Sequence, residues 1–296
     1  MKLRLLAFML TIMAFISCDD AFKNHKFQLS NPTDKEITVT IDDKDYILAA
    51  NSFQDIKILP GKHNLVYNGK KTLFNVFSTN TGGIINPTLE PHYIYSMVYA
   101  TEGNFDKFKS LSRPVYIDGI LYEDNIKSTN ALFIDNNFYR CTYELGTPYP
   151  EEMITHNKTS VGNFYNKFFT KQEFIDFISS EAEEEYKNFH LENKDINGEN
   201  TITEIAITEV AIPNIDNEEL INSYKKELEL VNERIHSEDK SRQKEIQKEL
   251  FDLSMKRSKI DVDYGKNTTE QNQAMNDFVS NSGKLSGAGI IELQEK

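Results

Sequence analysis

Tryptophan is absent from this 296-residue chain, and cysteine occurs only at positions 18 and 141. Two thiols exclude a small fold stapled by disulfides. Basic residues are scarce: 33 Lys and Arg face 46 Asp and Glu, a formal charge of −13. Such a surface repels phosphate backbones and no basic cluster compensates, so neither nucleic acid nor broad adhesion to anionic lipid is expected. Long apolar runs are nearly missing. The best, Leu5 to Ile16, has twelve residues, whereas a span of the bilayer needs about 20. Catalytic signatures are missing as well: the chain has no Gly-x-Ser-x-Gly elbow, Walker loop, dinucleotide fingerprint or His-Glu-x-x-His. The six histidines (25, 63, 92, 156, 190 and 236) never fall within four residues of one another, so none forms a local metal pair. A site assembled across the fold stays open, with His63, His92 or His156 beside a carboxylate or hydroxyl as its mark.

What is present begins with the leader. Lys2 and Arg4 precede the apolar run, Ser17 is small, and Asp19-Asp20 follows at once. This is the layout of a secretory signal. Phe15-Ile16-Ser17-Cys18 resembles the lipobox of bacterial lipoproteins. The resemblance implies cleavage before Cys18, an acylated (palmitate-type) Cys18 and a lipid anchor in the cell envelope. The outer membrane or cell surface is favoured over the inner membrane, although Asp19-Asp20 resembles retention and export signals alike. Removing residues 1–17 takes away Lys2 and Arg4 but no acid, so the charge moves from −13 to −15. Cys141 then has no partner. It sits in the alternating run Phe138 to Tyr143 and is read as a buried structural thiol, with a reactive thiol as the alternative.

The predicted fold class is α+β: an N-terminal antiparallel β-sandwich, then an α-rich region with a long helix or helical hairpin. The expected boundaries are signal 1–17, tether 18–26, sandwich 27–148, α/β segment 149–215, helix or hairpin 216–262 and a tail without fixed structure at 263–296. Alternation marks strands at 36–41, 46–48, 54–59, 63–67, 72–77, 93–100, 115–122, 131–134 and 138–145. Asn68-Gly69 and Asp118-Gly119 are hairpin signals. Val39-Thr40-Ile41-Asp42 and Leu59-Pro60-Gly61-Lys62 make residues 37–77 resemble small PEGA-like bacterial β-modules. That resemblance implies a structural or binding unit without catalytic residues.

Further on, Thr170 and Glu173 form a capping box, with Phe169 and Phe174 as its hydrophobic staple, opening a helix to about Asn188. A second box is placed at Asp216 and Glu219. Leu220, Tyr224, Leu228, Val231, Ile235, Ile246, Leu250 and Leu253 form a helical stripe with a polar gap at 236–245. It packs on its own domain as a hairpin, or meets a partner or second copy as a coiled coil. Residues 202–211 are read as a strand from their β-branched content.

One constellation suggests a cofactor. Asn193, Asp195, Asn197, Gly198 and Glu204 fall at the spacing of a calcium loop. Asn193 replaces the leading Asp, Asn200 stands where an apolar residue belongs, and the exit reads as strand, so a plain Asn-Gly turn is the alternative. Tyr93, Tyr95 and Tyr99 alternate on one strand face, suited to stacking on sugars or to core packing, and the missing Trp weakens the sugar reading. The leading functional expectation is a non-enzymatic interaction or structural lipoprotein meeting another envelope protein or itself. A glycan- or calcium-binding lipoprotein and a hydrolase are the alternatives.

Overall fold

The computed structural model describes residues 25–100, 113–139, 143–148, 162–181, 202 and 210–293. Cys18, Cys141, His156 and the calcium-loop candidates Asn193, Asp195, Asn197 and Glu204 lie outside the described residues, as does most of 202–211.

The chain is α+β. Its first half holds β1 (Lys26–Asn31), β2 (Ile37–Ile41), β3 (Lys44–Leu48), β4 (Ser52–Lys57), β5 (Gly61–Tyr67), β6 (Lys70–Val76) and β7 (Gly83–Ile85). The turns explain the hairpins. Asp42-Asp43, Asn68-Gly69 and Asp118-Gly119 all have positive φ at both positions, the geometry that matches the right-handed twist of paired strands. Asp and Asn reach that region because their short polar side chains bond locally.

With β12 (Phe133–Asp135) and β14 (Ile290–Leu293), these strands build two sheets, ordered β12-β7-β1-β4 and β14-β6-β5-β2-β3. Alternation along β2 buries Ile37, Val39 and Ile41 while Thr38 is exposed. Phe27, Leu29, Ile56 and Ile85 of the first sheet share one cluster with Val39, Leu65, Phe74, Val76 and Ile290 of the second. Each such side chain contributes about 1.5–3 kcal/mol when fully buried. The purely antiparallel expectation is corrected at one pair: β1 runs parallel to β7, Leu29 opposite Ile85. Parallel neighbours need a long crossover, here the whole stretch from β2 to β6.

A three-stranded sheet, β11-β8-β13, combines β8 (His92–Ala100), β11 (Ile126–Thr129) and β13 (Gly162–Thr170), and β9 (Arg113–Ile117) pairs with β10 (Ile120–Asp124). The strand expected over 138–145 is replaced at its start by the short helix α1 (Asn136–Tyr139), with an isolated bridge at Tyr143. Helix α2 (Lys171–Glu181) begins where the capping box placed it: the Glu173 N–H donates to Thr170 Oγ1 at 3.3 Å. The staple rings of Phe169 and Phe174 lie 5.5 Å apart. The Glu173 carboxylate, however, takes buried Lys167 Nζ at 2.5 Å and the Gly146 N–H at 2.9 Å, because a buried ammonium demands a charged partner. Tyr93 is fully buried against Phe174, so it packs the core and does not face a sugar.

The expected helical stripe divides into α3 (Glu218–His236) and α4 (Lys240–Arg257). Asp239 caps α4, accepting the Ser241 and Arg242 N–H groups, which is why the polar gap breaks the helix. The cap of α3 is Asn217, accepting the Leu220 N–H at 2.9 Å, one residue beyond the expected Asp216. The two helices lie antiparallel: Glu233 meets Arg242 near the turn, and Glu227 meets Arg257 at the far end. The expectation of a structureless tail is overturned. Helix α5 (Thr269–Gly287) starts at a complete capping box of Thr268 and Gln271, and β14 pairs with β6. Its sparse apolar residues are enough because Met275 and Phe278 close on Tyr224 and Leu220.

A buried polar joint ties this helical region to the sheets. Arg234 of α3 is 1% exposed; it donates to the Ala288 carbonyl at 2.7 Å, the Leu285 carbonyl and Thr79, and stacks over Phe77. Asp135 of β12 accepts the N–H groups of Gly289 at 2.6 Å, Ile290 and Asn137. The link between α5 and β14 therefore gives carbonyls to a cation and N–H groups to a carboxylate. Burial lowers the Arg234 pKa to about 10, with Asp135 opposing, and holds the Asp135 carboxyl above its ordinary range, against the three N–H donors and Arg234. A Cβ on Gly289 would meet Asn80 and Asn137 at 2.6–2.8 Å, so only glycine fits there.

Candidate functional site

Asn31 ends β1 and is fully buried. Its amide donates to the carbonyls of Lys35 (2.7 Å), Leu48 and Ala49, and its oxygen accepts the Thr33 N–H and hydroxyl. Those bonds fix the β1–β2 loop as the wall of an open groove of about 680 Å³. The wall from Pro32 to Thr38 faces the Tyr67-Asn68 turn, Glu90-Pro91 and Lys171. Asp34, Glu36 and Glu90 supply negative charge and Lys35 and Lys171 positive charge; Lys171 is bound to Asp118 at 3.1 Å. A rigid, half-open, mixed-charge groove suits an extended polar segment better than a buried apolar ligand, which pockets enclose on most sides.

Two histidines meet the pairing that would mark a catalytic site, and neither lines the groove. His92 Nε2 lies 2.9 Å from Ser30 Oγ, and Nδ1 lies 3.1 Å from the Glu90 carbonyl. Giving Nδ1–H to a carbonyl leaves Nε2 to accept the serine hydroxyl, the orientation of a serine–histidine pair. Both residues are fully buried, though, and burial pushes the imidazole pKa down to about 4. The pair fastens β1 to the start of β8, and neither side chain is exposed to solvent. His63 sets Nδ1 against the Asp42 carboxylate and Nε2 against the Leu59 carbonyl at 2.7 Å, which holds the β2–β3 turn on β5. Both nitrogens are engaged within the fold.

The stripe offered to a partner is used inside the chain. Leu220 and Tyr224 join Met275 and Phe278, with Leu228 packed beside them; Val231, Ile246 and Leu250 form the next cluster, with Ile235 and Leu253 against it. Among the described residues no three His, Cys, Asp or Glu side chains cluster to hold a metal, and no helix is long and apolar enough to cross a membrane. No local motif marks the groove, because its walls come from four separate segments; Asn31 followed by Pro32 is the one local sign of a shaped loop. No family model, curated protein or solved structure matches the chain.

Proposed function

We propose that this chain is a lipid-anchored, non-enzymatic interaction protein of a bacterial cell envelope. Cys18 carries the anchor, and the two sheets of the first half pack as a sandwich that presents the polar groove to another envelope protein. The observation that carries the reading is the order Lys2 and Arg4, apolar run, Ser17-Cys18, Asp19-Asp20. Two supports come from geometry. The Ser30–His92 pair is sealed from solvent, and the groove wall is held rigid by Asn31, so binding there requires little ordering.

Mass spectrometry of the mature amino terminus tests it. The expected species begins at Cys18 with two or three acyl chains, and Cys18→Ser is expected to abolish acylation. A bare thiol on a freely soluble chain overturns the anchor. Charge reversal at Lys35 and Glu36 is expected to abolish cross-linking to a partner captured through groove residues.

A further inference from the structure

The outward face of α4 contradicts the charge of the chain as a whole. Residues 240–259 hold seven basic side chains against three acidic ones, a local charge of +4 in a chain of −13. Steps of four, four, three, four and four place Lys240, Lys244, Lys248, Phe251, Met255 and Lys259 on one side, the last just past the helix end. All six are exposed, Phe251 by 65% and Met255 by 51%. Two of the helix's acids, Glu245 and Glu249, are held by Arg242, while Glu245 and Asp252 border the stripe three and four residues from Lys248. Lys240, Lys244, Lys248 and Lys259 form no ion pair among the described residues.

We propose that this stripe docks on the surface of an anionic bilayer, the lysines meeting headgroup phosphates and Phe251 and Met255 entering the interface. Charge complementarity carries the choice of partner. Exposed charges beyond about 8 Å are screened at physiological salt, so the stripe meets the headgroups while the distant acidic surface is hardly felt. Two apolar side chains amid lysines fit an interface with an apolar interior, which a dissolved polyanion lacks.

Placement agrees. Lys240 and Lys57 lie close enough to His25 to help burial lower its pKa, and Lys62 reaches Glu238 in the α3–α4 turn at 2.9 Å. The chain therefore enters the fold beside the first lysine of the stripe. Cys18 is seven residues before His25, a reach of at most about 25 Å. The reach rests on the anchor proposed above; the charge and the apolar pair do not.

The test uses the full chain carrying Cys18→Ser, so that no acyl chain contributes. The apolar leader is common to every protein compared, and the readout is the difference between them. Co-sedimentation is measured with vesicles of phosphatidylcholine alone and with about 30% phosphatidylglycerol. The parent is expected to favour the anionic vesicles and to lose that preference in high salt. Lys244→Glu with Lys248→Glu is expected to lower partitioning by at least about tenfold, and Phe251→Ser with Met255→Ser by about tenfold, with unchanged circular dichroism. Equal binding to both vesicles, or variants that bind like the parent, overturns the proposal. So does equal binding to a soluble polyanion that is indifferent to the Phe251 and Met255 changes. Mass spectrometry at Cys18 reads the anchor separately, so each idea fails by its own measurement.

Discussion

Cations do opposite work on the two sides of the helical region. On the inner side Arg234 is almost fully buried, and its guanidinium is used up by two carbonyls, a hydroxyl and the Phe77 ring. On the outer side Lys240, Lys244, Lys248 and Lys259 stand in solvent without ion pairs among the described residues. A charge out of water is tolerable only when every donor finds an acceptor, so the inner cation fixes structure. The outer ones cost nothing to expose and add nothing to the fold, so their arrangement is free to serve binding.

The largest expected effect breaks the inner side. Asp135→Ala strands two N–H donors at the α5–β14 link, Gly289 and Ile290, and a third at Asn137 of α1, and Arg234→Ala strands the carbonyls of Leu285 and Ala288. Each is expected to cost about 3–5 kcal/mol, read as a lower urea midpoint and early loss of amide protection at Gly289 and Ile290.

Next is acid. His92 has a folded pKa lowered to about 4 from 6.5. The unfolded chain thus binds the proton first, and stability present above pH 6.5 is lost as pH falls toward 4. The loss is on the order of 3 kcal/mol. His25, also lowered, acts in the same direction. Asp135, whose folded carboxyl is raised, opposes both, because its folded form gains the proton first. Urea midpoints across this window measure the net slope, and an equal slope in His92→Gln would assign it to other groups.

Gly289→Ala pushes a methyl into Asn80 and Asn137 and is expected to cost about 1–3 kcal/mol, whereas Gly283→Ala, with open space around its Cβ, is expected to stabilise α5 by roughly 0.5–1 kcal/mol. The pair, compared by thermal melting, separates a steric requirement from helix propensity. Asn217→Ala removes the α3 cap for about 1 kcal/mol. The smallest effect sharpens the outer side: Lys244→Ala and Lys248→Ala are expected to shift stability by less than about 0.5 kcal/mol while weakening vesicle binding. A large loss of stability there would mean that the stripe is structural after all.

Much of the first half was legible because its signals are local. Asn68-Gly69 and Asp118-Gly119 set their turns through backbone preference alone, and Thr170 with Glu173 marks the start of α2. Strand β13 was missed because its partner β8 lies some sixty residues earlier, and pairing over that distance leaves no periodic mark. The parallel seat of β1 beside β7 is hidden for the same reason. Helix α5 looked structureless because its own apolar content is thin; Tyr224 supplies the surface that makes Met275 and Phe278 worth burying. At the candidate sites, the spacing of Leu220 to Leu253 marks an apolar face, but spacing cannot say whether the covering surface belongs to a partner or to the same chain. The lysines of α4 do not stand out as a basic cluster in a chain whose total charge is −13, because only the helix brings them to one side.

The sequence by itself determined the hairpin turns, the alternating faces of β2 and the start of α2, since each is set by residues within a few positions of one another. Tertiary structure alone decided which of the two stripes on the hairpin is hidden, that Ser30 and His92 are sealed together, and that Asp135 and Arg234 grip opposite sides of one link. Those outcomes depend on which distant surfaces exclude water from which side chains, and desolvation is a property of the assembled neighbourhood and not of any segment alone.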